Sequence, residues 1–139
     1  MSIAAVPLHS LVVAIFRHAG SGPEEATAIA DHLIDANLTG HDSHGVIRVA
    51  PYLQLLGAGA TIANRRARIT KDAGALLTID GQQGHGIAIA VQAIAIGIER
   101  AKTHGVGVLS IGNASHMGRI GAYAEQAAAA GLLSLSLSL

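Results

Sequence analysis

The chain has 139 residues, enough for one domain with a core of its own, because a chain of about 150 residues buries roughly 70% of the surface its unfolded form exposes. Half of the residues are hydrophobic, 13% are charged, and nine basic residues balance nine acidic ones, which excludes a highly charged disordered chain; only Arg65, Arg66 and Arg68 cluster, which argues against a nucleic-acid partner. The absence of cysteine excludes disulfides and thiolate chemistry and suits the cytoplasm, no basic segment followed by a long apolar run opens the chain, and no apolar run approaches the ~20 residues of a membrane helix.

Aromatic residues are scarce (Phe16, Tyr52 and Tyr123), so the core must be built from Ala, Ile, Leu and Val. Leu8, Leu11, Val12 and Ile15 recur at helical spacing and Gly20 supplies a stop, predicting a first helix. Ser21 and Glu24 have capping-box spacing with Pro23 in the first turn, so a second helix should run along Ala26, Ile29, Ala30, Leu33 and Ile34 to about Leu38. Asp42 or Ser43 is then expected to cap a third helix through Val46, Val49, Leu53 and Leu56, kinked or divided at Pro51. Residues 67–70 and 75–79 are strand candidates, the second closed by an Asp80-Gly81 turn.

Residues 86–103 read as a long helix, apolar nearly all round from Ile87 to Ile98, which predicts deep burial or a subunit interface. A buried strand is expected at 106–111, a polar turn at 112–118 and a helix at about 119–130. The last segment, 132–139, alternates leucine and serine, the period of a strand with two unlike faces. Its leucine face and one side of the 86–103 helix are expected to be exposed apolar surface. A strand reaching the last residue without turn, cap or polar tail reads as a truncation. The fold class is α+β: N-terminal helices followed by part of a mixed sheet with helices.

Three constellations bear on chemistry. His44, Arg48 and Tyr52 stand at i, i+4 and i+8, so one helical face can carry them. A guanidinium offers a planar fork for a carboxylate, the imidazole and phenol add hydrogen bonds, and Ser43 contributes a hydroxyl; the alternative is a polar face turned to solvent. Gly112-Asn113-Ala114-Ser115-His116-Met117-Gly118 joins a strand to a helix, where His116 is a candidate general acid/base; the alternative is a turn with special backbone angles. His41, Asp42, His44 and a distant His116 invite a metal reading, although the first three lie too close in sequence to converge easily. Gly81 to Gly86 lacks both the P-loop and the G-x-G-x-x-G pattern and reads as a strand-to-helix turn. His9, His18, His32 and His104 show no partner in sequence and read as structural or surface residues.

The segments Ala36-Asn37-Leu38-Thr39-Gly40-His41-Asp42-Ser43-His44-Gly45-Val46 with Arg48 and Tyr52, Ile79-Asp80-Gly81 with Gly84, 101–108, and Asn113 to Gly118 followed by Tyr123-Ala124-Glu125 resemble the malate/L-lactate dehydrogenase family, which also includes ureidoglycolate, sulfolactate, diketogulonate and cyclic-imine carboxylate enzymes. The motifs occur in the family's order and cover most of the chain. The resemblance implies a non-Rossmann fold and an oxidoreductase that moves hydride between NAD or NADP and C2 of a 2-oxo or 2-hydroxy acid. It implies that His116 is the catalytic proton donor or acceptor, that Ser43, His44, Arg48 and Tyr52 contact the substrate, and that His116 and Gly118 border the cofactor. It further implies a homodimer, and a division into residues 1–66, a helical region with the substrate-contact segment, and 67–139, the first part of a cofactor-binding domain. Met117 stands where an aromatic residue is frequent, and Leu139 where asparagine is; family members are longer, with much of the cofactor site beyond that point. The competing readings are an inactive fragment serving in oligomerisation and a His/Asp metal-dependent hydrolase.

Overall fold

The computed structural model describes residues 3–137. Three helices come first: α1 (Ala5–His18), α2 (Pro23–Leu38) and α3 (Val49–Gly57), with two 3-10 turns, Asp42–His44 and Val46–Arg48, before α3. Then follow β1 (Arg68–Ala73), β2 (Leu76–Gly84), α4 (Gly86–His104), β3 (Val108–Ala114) and α5 (Gly121–Ala129). β1 pairs antiparallel with β2, and β2 pairs parallel with β3, so the sheet is mixed and β2–α4–β3 is a crossover unit. The core has two parts. Val12, Phe16, Ile29 and Leu33 of α1 and α2 enclose Tyr52 and Ile87, while Leu77 and Ile79 of β2 pack on Ala93 of α4.

Several boundaries differ from the sequence reading for identifiable reasons. Ser21 does not cap α2; Gly22 occupies that position, and the Ser21 hydroxyl donates instead to the buried Glu25 carboxylate at 2.6 Å, while Glu24 pairs with Arg66. The third helix does not begin at Asp42 or Ser43. Gly45 has extended backbone (φ −86°, ψ −152°) and separates two single 3-10 turns, so the α-helix starts only at Val49. Pro51 therefore lies in the first turn of α3, where its missing N–H costs nothing, and it neither kinks nor divides the helix. Asp80-Gly81 is not a terminating turn either: β2 continues to Gly84 through an irregularity in which Gln82 and Gln83 take φ of 55° and 58°.

β3 is an edge strand and not the buried one expected. Leu109 and Ile111 point inward, but Val108 is 49% exposed because β3 has no further strand beside it among the described residues. Residues 132–137 form no strand, since an alternating pattern selects a face but cannot supply a hydrogen-bonding neighbour; Ser138 and Leu139 lie outside the described residues. Leu133, Leu135 and Leu137 are exposed, as the alternating pattern led us to expect. The burial of α4 is greatest in its N-terminal half, from Gly86 to Ala90, where it passes between α2, the sheet and α5.

Two buried histidines couple this fold to pH. Burial lowers the pKa of His85 to about 4, and burial together with the nearby Arg119 lowers that of His32 to about 4. Both stay neutral in the folded chain below the ordinary value of 6.5, whereas the unfolded chain takes up protons there. Stability should therefore be full above about pH 6.5 and fall as the pH drops toward 4, by on the order of 1–3 kcal/mol for each histidine. Urea midpoints measured across that range should show the slope, and His85→Leu should make it shallower; an unchanged slope would remove His85 as a contributor.

Candidate active site

The last turn of α2 shapes the first half of the site. Asn37 accepts the Val46 N–H on Oδ1 at 2.8 Å and donates through Nδ2 to Asp42 at 2.5 Å. Gly45 passes directly over that amide, and any Cβ there would collide with it, so the segment closes only with glycine at this point. Arg48 then folds back: its Nε donates to the Ser43 carbonyl at 2.6 Å. The Ser43 hydroxyl lies 2.9 Å from His44 Nδ1. The i, i+4, i+8 rule does not describe this geometry, because no continuous α-helix links the three residues. They converge through two 3-10 turns joined to a helix.

The second half comes from the end of β3. Ser115 N–H donates to the Gly84 carbonyl, and Ser115 Oγ accepts the Gly86 N–H at 2.9 Å. Gly81 and Gly86 let the 113–116 backbone come this close: a Cβ on Gly81 would lie 2.7 Å from that of Ala114, and one on Gly86 would meet the carbonyls of Ser115 and His116. The glycine-rich stretch is thus a saddle for the His116 segment. The Gly86 N–H at the start of α4 is already taken by Ser115, so it offers nothing to a phosphate.

The two halves meet at Tyr52 and His116. Tyr52 Oη lies 2.8 Å from His116 Nδ1, which also accepts the Gly118 N–H at 3.2 Å. Since an amide N–H can only donate, neutral His116 carries its proton on Nε2 in this arrangement. His44 stacks on the same ring with centroids 5.6 Å apart and planes 26° apart. Tyr52 is 2% exposed and its ring rests edge-on against His85, which in turn meets Phe16 edge-on. Burial pushes the Tyr52 pKa up to about 12, against a smaller opposing effect of Arg48, so the phenol keeps its proton. The pKa of His116 is lowered, first by desolvation and then by the positive charge of Arg48 and the neighbouring His44.

Ser43, His44, Arg48, Tyr52 and His116 are therefore brought together as the sequence suggested. Gly118 adjoins them but is buried, with φ +71° and its α-carbon pressed on the His32 ring. No group of three or more His, Asp or Glu side chains forms a metal-ligand set among the described residues, so the hydrolase reading has no ligand set to rest on. Sequence reasoning passed over Asn37, His85 and Arg119, and placed His32 only as a structural or surface residue. The spacing of His32 against Ile29, Leu33 and Ala36 carried a signal, for it puts this histidine on the apolar face of α2; nothing in the sequence marks His85.

The chain matches the malate/L-lactate dehydrogenase family over residues 3–138. The chain belongs to this family. It is 47% identical over 131 residues to hydroxycarboxylate dehydrogenase B of Escherichia coli O157:H7, covering 94% of this chain and 36% of the relative. It is 35% identical over 117 residues to L-sulfolactate dehydrogenase of Methanocaldococcus jannaschii, covering 84% of this chain and 34% of the relative. The malate dehydrogenase structure from Pyrococcus horikoshii OT3 superposes with a TM-score of 0.91 at 30% identity, over 94% of this chain and 38% of that one. This family member thus spans about a third of the length of the relatives it matches, and its helices and mixed sheet reproduce the corresponding part of their fold.

The electrostatics of the pair can be measured directly. In the protein with ring-labelled histidine, His116 should titrate below the ordinary 6.5, and Arg48→Met should move its midpoint upward, because removing a nearby cation favours the protonated ring. A midpoint unmoved by Arg48→Met would show that burial alone depresses it.

Proposed function

We propose that this chain supplies the substrate-binding and proton-transfer part of an NAD- or NADP-dependent dehydrogenase that interconverts 2-hydroxy and 2-oxo acids. The observation that carries this reading is the 2.8 Å contact of Tyr52 Oη with His116 Nδ1, which leaves Nε2 of a histidine beside Arg48 free to serve a substrate. The names of the relatives support it, since hydroxycarboxylate, sulfolactate and malate dehydrogenases share a carboxylate next to a carbon that bears a hydroxyl.

In this reading Arg48 holds the carboxylate through its two terminal nitrogens, its Nε being committed to the Ser43 carbonyl. Ser43 and His44 border the same anion and fix its orientation. A bound carboxylate offsets part of the Arg48 charge and so raises the proton affinity of His116 when the proton is needed. In the reductive direction Nδ1 exchanges its Gly118 contact for a proton, the resulting imidazolium donates Nδ1–H to Tyr52 Oη, and Nε2 gives its proton to the C2 oxygen, which leaves the Nδ1–H tautomer; in the oxidative direction that tautomer takes the proton on Nε2. Tyr52 suits both directions because a hydroxyl can donate or accept, and its raised pKa keeps it uncharged. The nicotinamide, when bound, supplies or removes the hydride at C2. The residues here fit only its reacting end, beside His116 and Gly118; at the start of α4 the Gly86 N–H is already taken by Ser115 and the 115–116 backbone is packed against that glycine. We assign residues 1–66 to the substrate-contact region and 67–139 to the start of the cofactor-binding domain.

The same reading places the enzyme in the cytoplasm as a homodimer; no helix among the described residues is long and apolar enough to cross a membrane. A second reading, an inactive association module, draws on the exposed row of Leu133, Leu135 and Leu137. The two differ in whether the site residues affect turnover. In the complete protein, Arg48→Ala should raise KM strongly, because the carboxylate is charged in ground and transition states alike. His116→Ala should lower kcat by about 10²–10⁴-fold with a smaller effect on KM and should remove one limb of the pH–rate profile. Near wild-type turnover by His116→Ala with an unchanged profile would take His116 out of the mechanism.

A further inference from the structure

The turn that carries His116 is gripped from outside by residues that touch no substrate position. His32 of α2 is 7% exposed, and its Nε2 accepts the Arg119 N–H at 2.7 Å. A backbone N–H can only donate, so Nε2 carries no proton and His32 is neutral with its proton on Nδ1. Gly118 lies against the Nε2 side of the same ring: it has φ +71°, and a Cβ there would collide with Nε2. Tyr123 of α5 stacks on the His32 ring with centroids 5.5 Å apart, and its hydroxyl donates to the Met117 carbonyl. The Arg119 guanidinium closes the arrangement by joining Asp35 of α2 to Glu125 of α5.

These contacts reach His116 through the two peptide units on either side of the Gly118 α-carbon: the Tyr123 hydroxyl holds the carbonyl of the first and His32 the N–H of the second. The Gly118 N–H donates to His116 Nδ1, so the orientation of the Gly118 peptide sets both the ring rotation and the preferred tautomer of His116. The Gly118 α-carbon joins that peptide to the next one, whose N–H, on Arg119, is held by His32. We infer that His32 is a positioning residue for His116: by holding Gly118 and Arg119 it presents the Gly118 N–H to His116 Nδ1 and directs Nε2 to the substrate. This inference rests on the proton-transfer role proposed for His116. A histidine buried only for packing would need neither the acceptor on Nε2 nor a glycine with positive φ against its ring. The groups facing His32 are Asp35 on its own helix, Arg119 and His116 on the turn, His44 on the first 3-10 turn and Tyr123 on α5.

The test uses two substitutions that differ by one methylene. His32→Gln places an amide oxygen near the position of Nε2, whereas His32→Asn stops short of it. In the complete protein, ring-labelled histidine and labelled glycine report the His116 tautomer and midpoint and the Gly118 amide. His32→Gln should keep these signals and most of kcat. His32→Asn should lose the Gly118 N–H donor, raise the His116 midpoint toward its ordinary value, and lower kcat by about 10–100-fold with little change in KM. A folded His32→Asn protein with unaltered His116 and Gly118 signals would overturn the inference whatever its activity. Altered signals with unchanged kcat would uphold the placement of His116 and count instead against its role in proton transfer. Should His32→Asn not fold, Tyr123→Phe decides: the Gly118 signal should persist without the Met117 clamp, and its loss would assign the positioning to Tyr123 and overturn the inference.

Discussion

The hydrogen bond between Tyr52 and His116 joins residues 64 positions apart and ties the helical half of the molecule to the sheet half. Most of the structure around it serves to fix its two ends. Tyr52 is held by the Phe16–His85–Tyr52 edge-on contacts, which belong to the core formed by α1, α2 and the start of α4. Such aromatic contacts add on the order of 0.5–1.5 kcal/mol beyond area burial, and they also fix ring orientation, which aliphatic packing does less well. With only three aromatic residues besides histidine in the chain, two of them, Phe16 and Tyr52, are committed to this column and the third, Tyr123, to the turn beyond His116.

The other end depends on close backbone approach. β3 enters the site beside Gly81 and Gly86, and each admits the 113–116 backbone at a distance that a side chain would forbid. Asp80 secures the same corner by accepting the Gln82 N–H and the Asn113 amide and by pairing with Arg68, contacts that hold its carboxyl at about 2. This corner carries three non-glycine residues with positive φ, Gln82, Gln83 and Asn113, a strained arrangement that persists where surrounding contacts over-determine it. The strained Asn113 stands two residues before Ser115 and three before His116, so the cost of the local conformation is incurred where the His116 ring is aimed.

Charge is distributed to match. Arg48 lies beside the two stacked imidazoles of His44 and His116, and its charge helps to hold the His116 ring neutral. Arg119 shows the opposite design: its charge is met by Asp35 and Glu125, which raise its pKa further and commit it to structure. Two arginines of the same formal charge thus have different fates, one left open toward the site and one neutralised within the fold.

Read alone, the sequence was informative where a single periodicity or a dense motif governed the outcome. Helical spacing located α1 and α2 because each buries one contiguous apolar stripe, the long run apolar nearly all round located α4, and the GHDSHGV and NASHMG segments marked the residues that meet in the site. The tertiary structure decided what depends on neighbours distant in the chain. Gly45 became a break because Asn37 occupies the space beside it, and Pro51 fell harmlessly into a first turn once the helix began later. Leucine–serine alternation at 132–137 described a strand with two faces but could not provide the hydrogen-bonding edge that makes one. His32 shares the apolar face of α2 but nothing in the sequence marks His85, and only the contacts with Gly118, Tyr123, Phe16 and Tyr52 decide that both are buried and neutral, because desolvation is a property of surroundings and not of residue type.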